Sequence, residues 1–282
     1  MADVAIVTDS NSGISVEEGR AMGVTVIPMP VHINGKIFYE GLDITQKEFY
    51  DRLIEGADVA TSQPAPGDLL DVWNRLLGQH REIVYIPMSA GLSASCATAQ
   101  VLAEDFEGRV QVVDNRRISV TQRHSVLDAL ALARQGLDAA ETKRILEEQA
   151  MDACIYITVD TLKYLRKGGR VTGVEAVAGT MLNIKPVMHV DDEGHLTKVG
   201  TARGRNASLK ALVDHMAETA IDPAGQTVFI SHGDCEEDAN KVAEDVKRRF
   251  GVQTVVLNNV GPVIGAHSGP GTVALFFLGR HR

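Results

Sequence analysis

The chain of 282 residues has little from which a covalent or metallic scaffold could be built. Its cysteines, Cys96, Cys154 and Cys235, are odd in number, far apart and without any C-x-x-C spacing, so neither a disulfide framework nor a zinc cage is expected. Buried thiols are the simpler reading. The histidines form no H-x-x-x-H pair and the acidic turn Asp191–Gly194 is far too short for a calcium loop, so no metal is expected. Basic charge is in deficit, 28 residues against 37 acidic, a net of -9, which excludes the electrostatic footprint of a nucleic-acid binder. No apolar run approaches the ~20 residues of a membrane span. The N-terminal stretch MADVAIVTDSNSG has neither the basic start nor the apolar h-region of a signal peptide, so a cytoplasmic location is expected. Neither G-x-x-x-x-G-K-[ST] nor G-x-G-x-x-G occurs, which disfavours a nucleotide-dependent kinase or a dinucleotide enzyme, and no cofactor is expected.

What is present is an ordinary globular composition, 44% hydrophobic and 23% charged, in a chain long enough for two cores. Apolar runs at Val4–Val7, Val24–Ile27, Ile83–Ile86 and Val110–Val113 alternate with helical patterns, which predicts a parallel, doubly wound sheet in the first half. Val31 to Phe38 reads as a hairpin around Asn34-Gly35. Leu69, Leu70, Trp73, Leu76 and Leu77 give one apolar helical face after the proline-fixed loop Thr61–Asp68. The texture changes near Asp152. Beyond it come a β-branched strand at Cys154–Val159, a short helix ended by Gly168-Gly169, a hairpin around DDEG, and further helices and strands to Leu278. The expectation is an α/β protein of two domains, 1–152 with the parallel sheet and 153–282 with a mixed sheet.

Four polar loops carry the candidate chemistry. The run Ser89-Ala90-Gly91-Leu92-Ser93-Ala94-Ser95 follows the strand Ile83–Ile86 and precedes an alanine-rich helix, so hydroxyls and free N–H groups gather where an anion would be stabilised. A serine capping the helix is the plainer reading for any one of the three. Thr61-Ser62 stands in the second loop. Lys167-Gly168-Gly169-Arg170 leaves an arginine at a turn, able to hold an oxyanion through two parallel hydrogen bonds. His267 lies in the glycine-rich loop Gly261–Gly271 as a hydroxyl partner or general base. Gly91-Leu92-Ser93-Ala94-Ser95 invites comparison with the hydrolase elbow G-x-S-x-G, with His267 downstream, and defines the alternative of a serine hydrolase acting on lipid-like esters. Against it, Ser95 replaces the second glycine, no HGGG-type loop precedes Ser93, and no acid is assigned.

Taken together, Thr8-Asp9-Ser10, Thr61-Ser62-Gln63-Pro64, Met88 to Ser95, Asp160 to Arg170, Leu182 to Pro186, Arg203-Gly204-Arg205 and Gly261 to Gly271 resemble the DegV family, in the family's order and across nearly the whole chain. Where the family usually reads S-S-G-L-S-G-T-Y, this chain departs at Ala90, Ala94, Ser95 and Cys96 while matching Ser93. The resemblance implies a two-domain α/β protein that binds one long-chain, palmitate-like fatty acid between its lobes. It implies no catalysis of its own, presentation of the acid to a separate fatty-acid kinase that forms the acyl phosphate, and room for transient membrane contact. Carried over to matching positions, Thr61 and Ser93 would hydrogen-bond the carboxylate, Ser62 would stand nearby, His267 would close the site, and Arg170 would serve as charge partner or kinase contact. Met29, Met88, Met181 and Met188 are candidates for a pliable tunnel lining, with plain core the simpler reading.

Overall fold

A computed structural model of the chain describes residues 3–170 and 183–279; the expectations for Met181 and Leu182 lie outside the described residues. The chain divides into two compact units, one of residues 1–45 and 61–150, the other of residues 46–60 and 151–282. Residues 46–60, which hydropathy alone groups with their chain neighbours, join the second unit instead.

Up to residue 150 the elements are β1 (Val4–Asp9), α1 (Val16–Met22), β2 (Val24–Ile27), β3 (Pro30–Ile33), β4 (Lys36–Tyr39), α2 (Gln46–Ile54), β5 (Val59–Thr61), α3 (Pro66–Leu77), β6 (Glu82–Ile86), α4 (Ser95–Ala103), β7 (Val110–Val112), α5 (Val120–Arg134) and α6 (Ala139–Glu148). β2, β1, β6 and β7 lie side by side in that order, every pair parallel. Because side chains alternate along a strand, each strand fills two cores. Ala5, Val7, Ile83 and Tyr85 pack with Leu69, Trp73 and Leu76 of α3 and Ala99 of α4. Ile6, Val84 and Ile86 pack on the other face with Val126 and Ala129 of α5 and Leu146 of α6. The doubly wound parallel sheet is thus as expected.

Local chemistry explains the helix ends. Pro66 opens α3 at a position where its missing N–H costs nothing, and Asp138 with Glu141 forms a capping box on α6. α5 begins six residues before the Val126 at which apolar periodicity starts, because its first turns carry buried Thr121, Gln122 and Ser125, which interrupt the pattern.

The second unit continues with β8 (Ala153–Thr158), α7 (Lys163–Gly168), β9 (Ile184–Val190), β10 (Leu196–Arg203), α8 (Arg205–Thr219), β11 (Thr227–His232), α9 (Glu236–Phe250), β12 (Thr254–Asn259), α10 (Pro262–Ser268) and β13 (Val273–Leu278). Its sheet runs β10-β9-β8-β13-β11-β12 and is mixed: β11 and β12 are parallel, the other neighbours antiparallel. Leu212, Val213 and Met216 of α8 and Val242 and Val246 of α9 cover one face over Val228, Ile230, Val273 and Leu275. The glycine-rich stretch expected as a loop folds as α10, with Pro262 in its first turn. A Cβ on Gly265 would stand 2.6 Å from the Tyr50 hydroxyl, so the small residues there are what let α2 lie against α10.

Candidate functional site

In the first unit the chain steps from β1 outward to β2 and later returns to the other side of β1 as β6, so the strand order reverses between β1 and β6. In parallel sheets the crevice beyond the strand ends at such a point is where ligands bind. The loops Asp9–Gly13 and Pro87–Ala94 leave the sheet there.

A buried polar network fixes both loops. The Asp9 carboxylate, fully buried, accepts from the backbone N–H of Met88 at 2.9 Å and from Asn11 N–H, Asn11 Nδ2 and Gln122 Nε2 at 3.0, 2.9 and 3.1 Å. Burial pushes its pKa above the ordinary carboxylate range, and the four donors pull the other way. Ser10 donates to Glu40 at 2.6 Å and accepts from Met29 N–H at 3.1 Å. Further along, Ser89 N–H donates to the Arg117 carbonyl at 2.9 Å and Ala90 N–H to Asp114 at 3.2 Å. Met29 and Met88 are both buried in this region.

Ser93 is placed by that frame. Its Oγ accepts the Ser95 N–H at 3.1 Å and lies 2.8 Å from the Ser95 hydroxyl. Either oxygen of that hydroxyl pair can be the donor. Of the three serines, only Ser95 is a helical residue; Ser89 and Ser93 precede α4. Thr61 ends β5, and the segment after it is tied to this region, because Thr98 of α4 donates to the Gln63 side chain at 3.1 Å. Ser62 Oγ stands 3.1 Å from His32 Nε2 on β3. The structure therefore ties Gln63, next to Thr61 and Ser62 in sequence, to the helix that follows the Ser93 turn, within one unit.

Arg170 and His267 belong to the second unit and are neighbours there. A Cβ on Gly168 would fall 2.1 Å from His267 Nδ1, so α7 and α10 meet through a bare backbone, and Arg170 Nη1 donates to the Gly168 carbonyl at 2.5 Å. Burial, with the Arg170 charge adding to it, brings the His267 pKa down to about 4. The ring is neutral at ordinary pH and offers one donor and one acceptor. Gly269, with φ +79°, passes so close to Tyr164 that a Cβ would be 2.1 Å from the ring. His267 sits in the last turn of α10, in a helix where a loop was expected.

Sequence reasoning missed His32, Gln63 and Thr98. His32 had a readable signal: it alternates with Val31 and Ile33, both buried, and so faces the other side of its strand. The hydrolase reading loses its geometric basis. A nucleophile elbow is a strained turn directly off a strand, whereas Ser93 lies beyond Ile86 by a turn of its own and is absent from the residues at positive φ. Its hydroxyl is held by Ser95, and no cluster of acidic, histidine or cysteine side chains able to hold a metal occurs among the described residues.

The fold consists of two α/β units, one with a parallel and one with a mixed sheet, and in the first the serines of the Ser89–Ser95 run follow β6, beside the strand-order reversal. The DegV family of uncharacterised proteins matches residues 3–280. The chain is 31% identical to a DegV domain-containing protein of Clostridium perfringens over 99% of this chain and 98% of the relative, and 31% identical to one of Staphylococcus aureus over 99% of each. Among solved structures it is similar to a protein of Thermus thermophilus described by fatty acid binding, with 29% identity, TM-score 0.86, and 97% of this chain and 98% of that one covered. A fatty acid binding DegV family protein of Streptococcus agalactiae gives 25% identity and TM-score 0.89 with both chains fully covered. The chain belongs to the DegV family.

Proposed function

We propose that this protein binds one long-chain, palmitate-like fatty acid in an apolar tunnel and presents it to a separate fatty-acid kinase, catalysing nothing itself. Thr61, Ser62 and Ser93 are the proposed carboxylate donors, and Arg170 and His267 are proposed as further ligand-binding residues. The observation that supports this reading is that the Ser93 turn leads into α4, whose Thr98 donates to Gln63 in the segment bearing Thr61 and Ser62. The Thermus relative, described by fatty acid binding, supports the ligand class.

Energetics suit such a ligand. About fourteen buried methylenes at ~0.8 kcal/mol each contribute roughly 11 kcal/mol before ordering costs. An ionised carboxylate removed from water still needs partners, and neutral hydroxyls supply them while fixing which end of the ligand faces the loops.

Native mass spectrometry of protein purified without delipidation is expected to show one fatty acid per chain; preparations that repeatedly carry none would overturn the reading. Thr61→Ala combined with Ser93→Ala is expected to weaken fatty-acid affinity about tenfold or more at unchanged Tm. A fluorophosphonate probe is expected to leave Ser93 unlabelled.

A further inference from the structure

His32 belongs to no motif that led to the site, yet its Nε2 stands 3.1 Å from Ser62 Oγ across thirty positions of sequence. We propose that His32 is a positioning residue that aims the Ser62 hydroxyl at the ligand's head group, an inference that rests on the fatty-acid reading above.

A serine hydroxyl has one proton and two acceptor sites, and a lone exposed serine turns freely among its rotamers. Ser62 is exposed and His32 half-buried, on the strand face opposite Val31 and Ile33, whose burial fixes the strand against the core. The imidazole is thus the anchored partner and the hydroxyl the mobile one. When Nε2 carries a proton it donates to Ser62 Oγ, and the serine proton is directed elsewhere, available to a carboxylate. When Nε2 is bare it takes the serine proton, and Ser62 then offers only lone pairs, which a carboxylate repels. Which nitrogen carries the proton therefore decides whether Ser62 helps or opposes an anionic head. A related contact holds Ser93, whose oxygen receives the Ser95 N–H. Both serines are held from behind by a nitrogen, one through a backbone amide and the other through a side chain.

The consequence is specific to the head group. A structural role for His32 would affect any ligand of the same tail, whereas an aiming role affects only ligands that accept a hydrogen bond as anions. Hexadecanoic acid and hexadecanol separate the two. Titration of the delipidated full chain is expected to show that His32→Ala weakens hexadecanoic acid binding roughly three- to tenfold, the range for one hydrogen bond, and leaves hexadecanol unchanged. His32→Gln, whose amide also donates, is expected to restore most of the loss. Ser62→Ala should lose as much, and His32→Ala with Ser62→Ala no more than either alone, since the two act as one unit. Equal loss for both ligands, additive losses in the double variant, or no loss would each overturn the role of His32. If the unaltered protein binds hexadecanoic acid normally in those cases, the fatty-acid reading stands without it; if the unaltered protein binds neither ligand, both fall.

Discussion

The two units hold their chemistry-bearing side chains by opposite means. In the first, polar groups at the ends of β1 and β6 are fixed by one another: Asp9 gathers Met88, Asn11 and Gln122, and Ser95 holds Ser93. In the second, His267 is fixed by clearance, in a space that exists because residue 168 has no side chain. Hydrogen-bonded frames fail when an acceptor is removed and tolerate modest changes of volume. Clearance frames fail when a carbon is added. The units should therefore answer to different substitutions.

The largest expected effect is at Asp9. Asp9→Ala leaves the Met88 and Asn11 backbone N–H groups without their buried acceptor, at ~1–3 kcal/mol for each unsatisfied group, while Gln122 Nε2 keeps Thr8 Oγ1 and the Ile86 carbonyl, so a loss of about 2–5 kcal/mol is expected in the stability measured by denaturant unfolding. Asp9→Asn is expected to recover little. Both carboxylate oxygens act as acceptors, and an amide would turn a donor toward either Met88 N–H or the side-chain amides. A variant as stable as the parent would show that the network is ornamental and remove the contrast between the units.

His267 comes next. Its pKa in the folded protein is about 4 against an ordinary 6.5, so the native state binds this proton more weakly than the unfolded chain does. The associated stability is complete above pH 6.5 and is lost as pH falls from 6.5 toward 4, amounting to at most ~3 kcal/mol. Nitrogen-15 NMR of the ring is expected to show a midpoint near 4. Arg170→Ala should move it upward by less than half of the shift, because burial is the larger cause. A midpoint near 6.5 would mean that the ring is open to water. Gly168→Ala tests the same space by volume: with the new methyl 2.1 Å from Nδ1, the ring must move, and a loss of ~1–3 kcal/mol is expected together with a changed titration.

These contrasts also explain what the sequence disclosed. The first unit's sheet was readable because β1, β2, β6 and β7 are short, mostly apolar runs separated by helical patterns, as parallel strands buried on both faces tend to be. The start of α5 was not readable: Thr121, Gln122 and Ser125 belong to a helix through hydrogen bonds that no apolar pattern records. α10 was hidden by its glycines. They weaken helix propensity and are needed for the approach of Tyr50 and Phe49, a requirement set by distant residues. Within the candidate site, Ser93 and Thr61 were put forward from polar loops and family motifs, whereas His32 and Thr98 have partners brought near only by the fold, which no local pattern records.

The smallest expected effect bears most directly on how the first unit's two segments cooperate. Thr98 sits on the first turn of α4 and donates to Gln63, so one hydroxyl couples the rigid helix to the segment that carries Thr61 and Ser62. Thr98→Val keeps the shape and removes the donor. Because Gln63 is partly exposed, water can replace the lost bond, and the cost to folding is expected to stay within about 1 kcal/mol. Binding is a stricter measure, since donors that must meet one carboxylate lose affinity when either drifts relative to the other. A two- to fivefold weakening of hexadecanoic acid binding at nearly unchanged stability is expected, roughly the low end for one hydrogen bond. Calorimetry of the variant beside a control such as Thr142→Val, the same change at a buried position of α6, separates the outcomes. Loss of stability without loss of affinity would make the tie structural; loss of affinity alone would show that the first unit's hydrogen bonds set the spacing of its ligand donors.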